Sequence, residues 1–96
     1  MSKRFYISGP MSGLPQCNFP AFHAAAARLR DQGYTVVNPA EFGEESGKTW
    51  EQYMRQDIKA LCDCDTIYLL PGWHESKGAQ LELHIAHRIG MQLVLA

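Results

Sequence analysis

Four short apolar runs, each closed by turn residues or the chain end and joined through helical stretches, leave this chain few ways to fold. Arg4 to Ser8 stops at Gly9-Pro10, and Tyr34-Thr35-Val36-Val37 stops at Asn38-Pro39. Thr66 to Leu70 stops at Pro71-Gly72, and Met91 to Leu95 is the last run. Between the first two, the alanine-rich segment Ala21 to Asp31 has helical character. Asn18 is placed to cap it, Pro20 sits in its first turn, and Gly33 lies just beyond its end. A second helix is predicted from Lys48 or Thr49 to about Leu61, after an irregular polar loop over residues 40–48. A third opens at Ser76 and ends at Gly90.

Strictly alternating strands and helices imply a parallel sheet with right-handed crossovers. The expected fold class is α/β, a small three-layer doubly wound fold of Rossmann/flavodoxin-like type. Its four-stranded parallel sheet is expected in the order 2-1-3-4. Such sheets bind ligands outside the carboxyl ends of the strands, at the switch point between strands 1 and 3. Ser8-Gly9-Pro10 and Pro71-Gly72-Trp73 fall at that edge. No internal repeat or linker interrupts the pattern, so residues 1–96 are expected to form one domain.

Composition narrows the function classes. Hydrophobic residues are 46% and charged residues 20%, which is a globular balance. Net charge is −1 with no basic run, which argues against duplex nucleic acid as the main partner but leaves a nucleotide ligand open. No apolar run has the length of a membrane span, and the short polar N-terminus does not read as a signal peptide. A cytoplasmic protein is expected. Three cysteines are an odd set, and Cys62 and Cys64 are too close for an ordinary disulfide framework. Their spacing with the histidines matches no usual zinc motif, so no metal is expected. A core this small favours a homo-oligomer, dimer or higher.

Two acids stand out on apolar helical faces. On a helical wheel, Ala79, Leu81, Leu83, Ile85, Ala86 and Ile89 form one broad arc, and Glu82 falls inside it. Gln80, His84, His87 and Arg88 lie opposite. A carboxylate on the core side is costly unless a partner or a task holds it there. It either bends to solvent or a nearby backbone N–H, or belongs to a site. In the preceding helix, Trp50, Tyr53, Met54, Ile58 and Leu61 share a face, with Asp57 near its middle. Asp57 has Arg55 or Arg88 as possible ion-pair partners. Trp50 reads as core. Two carboxylates converging on one cleft suit glycosidic chemistry, in which one attacks or stabilises the anomeric carbon and the other manages the leaving group's proton. Burial pushes two such pKa values apart.

The loops supply candidate ligand contacts. The Gly9 to Gly13 loop and the N-terminus of the Glu82 helix both offer backbone N–H groups to an anion. The same loop also reads as plain turn chemistry. It is neither a P-loop nor a dinucleotide fingerprint. Gly78 permits close backbone approach of a ligand. Tyr6 is placed to put its hydroxyl into the cleft, and Trp73, in a loop, to stack on a base.

Tyr6-Ile7-Ser8-Gly9-Pro10, Asn38-Pro39-Ala40-Glu41, Asp57-Ile58, Cys64-Asp65 and Ser76-Lys77-Gly78-Ala79 through Glu82 together resemble the nucleoside 2-deoxyribosyltransferase superfamily. The closest likeness is to its short, phage- or prophage-type members of unassigned function. The resemblance implies that Glu82 is the nucleophile that forms a glycosyl-enzyme intermediate. It implies that Tyr6 orients Glu82, and that Asp57 contacts the base and supports its protonation. Ser76 stands where relatives acting on free nucleosides tend to have aspartate and those hydrolysing nucleoside 5′-monophosphates have serine. Ser12 and Gly13 match the loop around the same phosphate, with Ser8, Gly9, Ser76 and Gly78 as further substrate contacts. A neighbouring subunit completes the site in characterised members, from a segment after the nucleophile helix. That segment and a fifth strand have no counterpart here, so an oligomer by a different or reduced interface is expected.

The expected function is therefore N-glycosidic cleavage or transfer on a (deoxy)nucleoside 5′-monophosphate, hydrolysis favoured, with no cofactor. The alternative is a non-catalytic nucleotide-binding or sensor module.

Overall fold

The structure is a computed structural model and describes residues 3–43 and 47–96. The part of the expected polar loop over residues 44–46 lies outside the described residues. The strands are β1 (Arg4–Ser8), β2 (Thr35–Val37), β3 (Thr66–Leu69) and β4 (Gln92–Leu95), and the helices α1 (Phe19–Asp31), α2 (Trp50–Leu61) and α3 (Lys77–Arg88). All pairings are parallel, and the order is β2-β1-β3-β4, as expected from the sequence. Strand ends differ from the sequence reading by a residue. Short 3-10 turns over Pro15–Asn18, Pro39–Phe42 and Trp73–Glu75 occupy stretches read there as loops.

The period-two alternation of β1 decides what lies on each face. Phe5 and Ile7 point to one side and pack with Phe22, Ala25, Ala26 and Leu29 of α1. Tyr6 points to the other, with Ile67 and Leu69 of β3, Leu61 of α2 and Ala86 of α3. The α1 side closes with small alanines, which let the helix sit close to the sheet. The α2/α3 side closes over a tyrosine hydroxyl and a carboxylate.

Local chemistry fixes the helix starts. Thr49 accepts from Gln52 N at 3.1 Å while Gln52 Oε1 accepts from Thr49 N at 2.8 Å, a reciprocal cap for α2. Ser76 Oγ accepts from Ala79 N at 3.2 Å and opens α3. At the base of the sheet, Asp65 accepts from Arg4 N through both oxygens, at 3.2 and 3.1 Å. That contact ties the start of β1 to the start of β3.

Two local expectations are corrected. Asn18 does not cap α1: Gln16, Cys17 and Asn18 have φ of 54°, 53° and 58°, a left-handed run in non-glycine residues. The run turns the Asn18 amide away from the helix start, and it donates instead to Pro10 O at 2.9 Å, bracing the loop after β1. Trp50 is not core. It is 47% exposed in the first turn of α2, with Thr49, Glu51 and Gln52 exposed around it.

Candidate active site

Helical spacing along α3 buries Ala79, Glu82 and Ala86, at i, i+3 and i+7, with the carboxylate in the middle of the line. Leu81 and Ile89, read as part of the apolar arc, are exposed instead. Glu82 is 5% exposed. It lies against the face of β1 that carries Tyr6 and Ser8, two residues apart and therefore on one side of the strand. Tyr6 Oη donates to Glu82 Oε2 at 2.6 Å, and Ser8 Oγ donates to Glu82 Oε1 at 2.6 Å. Both carboxylate oxygens are thus held by hydroxyls from a central strand. Among the described residues no buried side-chain polar atom lacks a partner.

Burial pushes the Glu82 carboxyl up to about 7, although the hydrogen bonds from Ser8 and Tyr6 pull it down. The negative charge of Asp57 pushes it further up, which places Asp57 in the same electrostatic neighbourhood. Asp57 itself is raised to about 6 by burial, against the pull of the Lys48 ammonium. The Tyr6 phenol is raised well above its ordinary value, first by burial and then by the charge of Glu82. It therefore stays protonated and remains a donor.

α2 and α3 approach closely near the start of α3. A Cβ on Gly78 would come within 3.2 Å of Met54 Sδ, so the bare face of Gly78 meets α2. The sequence reading gave that face to a ligand, and packing takes it instead. Gly9 behaves the same way: a Cβ there would sit 2.8 Å from Leu70 Cβ, where the ends of β1 and β3 pass. Ser8 O accepts from Leu70 N at 2.8 Å and continues that contact.

The remaining predicted residues differ in burial and partners. Ser8, read as a substrate contact, is buried against Glu82. Ser12 is exposed, and Gly13 has φ +80° with open space where a side chain would be. Trp73 is half-buried and packs onto the Tyr6 cluster, edge-on to the His74 ring at 5.9 Å. Ser76 uses an oxygen lone pair for the α3 cap, which leaves its hydroxyl proton for donation. His84 and His87 are exposed, as read from the wheel. No ion pair of Asp57 with Arg55 or Arg88 is formed among the described residues.

Sequence reasoning missed two things. The Ser8–Glu82 contact was visible in the i, i+2 relation to Tyr6, but Ser8 was read as a substrate contact. Lys48 had no distinguishing signal. It donates to Gln56, lies 5.0 Å from the centre of the Tyr53 ring, and acts on Asp57. A separate groove of about 490 Å³ lies along α2, lined by Phe42, Lys48, Arg55, Gln56, Lys59, Ala60 and Asp63. It does not include Glu82, Tyr6 or Asp57. Among the described residues no three His, Cys, Asp or Glu side chains gather as a metal site. Nor is any helix there long and apolar enough to cross a membrane.

The sheet order and the helices on both faces define a three-layer α/β fold, which solved deoxyribosyltransferase and N-glycosidase structures share. A 2-deoxyribosyltransferase from Bacillus psychrosaccharolyticus superposes with TM-score 0.75 at 20% identity, over 96% of this chain and 70% of that one. A 2-deoxyribosyltransferase from Leishmania mexicana gives TM-score 0.75 at 18% identity, over 97% of this chain and 63% of that one. The CMP N-glycosidase BcmB of Clostridium botulinum gives TM-score 0.67 at 20% identity, over 97% and 67%. The likeness read from the sequence therefore holds at the level of the fold. By sequence, the chain belongs to the family described as a domain of unknown function, DUF4406, whose profile matches residues 3–95. No curated protein sequence matches it.

Proposed function

We propose that this chain cleaves, or transfers at, the N-glycosidic bond of a (deoxy)nucleoside 5′-monophosphate, with hydrolysis favoured. The observation that carries this reading is Glu82: a buried carboxylate on the core side of α3, held through both oxygens by Tyr6 and Ser8 and electrostatically coupled to Asp57. The solved proteins that share the fold include two deoxyribosyltransferases and a CMP N-glycosidase, which supports the reaction class.

In this mechanism a Glu82 oxygen forms a bond to C1′ as the C1′–N bond breaks. The bonding pair leaves with the base nitrogen, and the proton of Asp57 goes to the base. Water then attacks C1′, the Glu82–C1′ bond breaks, and the water's proton returns to Asp57. The products are free base and sugar 5-phosphate. A second base in place of water gives transfer. Tyr6 orients Glu82. The phosphate is held at the α3 N-terminus, where the Ser76 hydroxyl donates and backbone N–H groups converge. An aspartate there would repel it. In this reading the Ser12-Gly13 loop closes over the phosphate and Trp73 stacks on the base.

The test is chromatography of a panel of ribo- and deoxyribonucleoside 5′-monophosphates incubated with wild type and with Glu82→Ala. Base released by the wild type alone supports the reading and names the substrate. Binding of one nucleotide without release from any would replace it with a sensor module. Release that persists in Glu82→Ala would remove Glu82 from the chemistry.

A further inference from the structure

We propose that Ser8 is a positioning residue of the Glu82 centre: its hydroxyl fixes the carboxylate through Oε1 and stabilises the ionised form that attacks. This inference rests on the reading of Glu82 as nucleophile. Tyr6 alone leaves a carboxylate free to turn about the bond to its carbon. A second donor on the other oxygen removes that freedom, and both donors stand on one strand at i and i+2. Ser8 is 1% exposed, and its own carbonyl is tied to Leu70 N at 2.8 Å, so the hydroxyl has little room to move. The contact excludes Ser8 from direct phosphate binding and gives it a task on the acid instead.

The charged and titratable groups acting on Glu82 are Tyr6 from β1 and Asp57 from α2, and Lys48 acts on Asp57. A hydroxyl donor stabilises the ionised form of its carboxylate partner. In a site where burial and Asp57 both favour the protonated form, Ser8 and Tyr6 are the groups that oppose them. Loss of Ser8 therefore leaves Glu82 holding its proton to higher pH.

The consequence for rate has a diagnostic shape. The competent form carries Glu82 ionised and Asp57 protonated, one of two ways to place a single proton on the pair. A variant that raises Glu82 alone widens the pH range of the one-proton state. It also shrinks the competent share of that state by the same factor.

The experiment titrates 13C-labelled glutamate side chains by NMR in wild type, Ser8→Ala and Ser8→Cys, with Glu82→Gln assigning the signal. Cysteine fills the space of serine but is a weak donor, so it separates the hydroxyl from the volume and stands in should Ser8→Ala fail to fold. The expected result is a rise of the Glu82 midpoint by about one pH unit in both variants. A midpoint that stays put, or one restored by cysteine, overturns the proposal. Where a nucleotide is turned over, kcat/KM against pH gives the second readout. The alkaline limb moves up by about one unit while the peak falls about tenfold. A fallen peak with an unmoved limb marks Ser8 as merely structural and overturns it. Absence of turnover by the wild type bears on the proposed function alone, because the titration needs no substrate.

Discussion

Glu82 and Asp57 titrate as a pair, and their order has a consequence for activity. Glu82 is at about 7 and Asp57 at about 6, so in the proposed reaction the acid that must be ionised for attack is the less acidic of the two. The competent arrangement is a minor form of the one-proton state. The expected kcat/KM profile is a bell with limbs near 6 and 7 and a maximum between them. A plateau running up to pH 9 would contradict the pairing. Glu82→Gln keeps the shape of the side chain and removes the proposed nucleophile, with an expected fall in turnover of about 10³-fold or more. At this scale the sequence was informative about identity and less so about contacts. An acid in the middle of an apolar stripe singled out Glu82, and the strand position of Tyr6 aimed its hydroxyl at the cleft. Ser8 was given to the substrate because it stands at the ligand edge of the sheet, although it closes β1 and continues the face of Tyr6. Gly78 was given to a ligand because a sequence cannot show which helix, here α2 through Met54, arrives at its bare face.

Among the elements, α2 carries Asp57 and the β1 end holds Glu82. The reciprocal Thr49–Gln52 cap fixes the start of the helix that carries Asp57. Thr49→Ala removes one half of it, with an expected loss of about 1 kcal/mol in chemical denaturation. Gly9→Ala is expected to cost about 1 to 3 kcal/mol, because the new Cβ lies 2.8 Å from Leu70 Cβ and the two strand ends must separate. Turnover is expected to fall further than stability alone explains, since Ser8 and Glu82 sit beside that contact. A Gly9→Ala protein with unchanged melting and activity would show that the approach is looser than described. The elements themselves were legible because the first three strands end in Gly, Pro or Asn signals and the helices between the strands have a period. The ends were not. The left-handed run at Gln16 to Asn18 comes from loop geometry that no residue there demands by type, and Trp50 fits the apolar spacing yet falls in a solvated first turn.

For the molecule as a whole, a buried acid makes stability depend on pH in a direction that can be worked out. Glu82 goes from an unfolded value of 4.5 to about 7 in the folded chain. Folding therefore favours its protonated form. That contribution is complete below about 4.5 and is lost as pH rises through about 7. The expected loss for wild type is on the order of 2 to 3 kcal/mol across that window, and Glu82→Gln should be flatter by that amount. Denaturant titrations at pH 4.5 and 8 check it, and parallel pH dependence in the two proteins would place Glu82 in a more solvated setting. The parallel sheet order was readable because alternating strands and helices with right-handed crossovers leave few arrangements. In the proposed reaction Glu82 bonds to the sugar. Trypsin releases Gly78 to Arg88 as one peptide, and Glu82 is its only side-chain carboxylate. The direct measurement incubates the protein with 2′-fluorinated nucleoside 5′-monophosphates, which slow departure of the sugar from the enzyme. Quenching, digestion and weighing of that peptide follow. The expected result is a gain equal to one fluorosugar phosphate on Glu82, absent in Glu82→Gln. Base release with that peptide unmodified, or with the sugar on another residue, would contradict it.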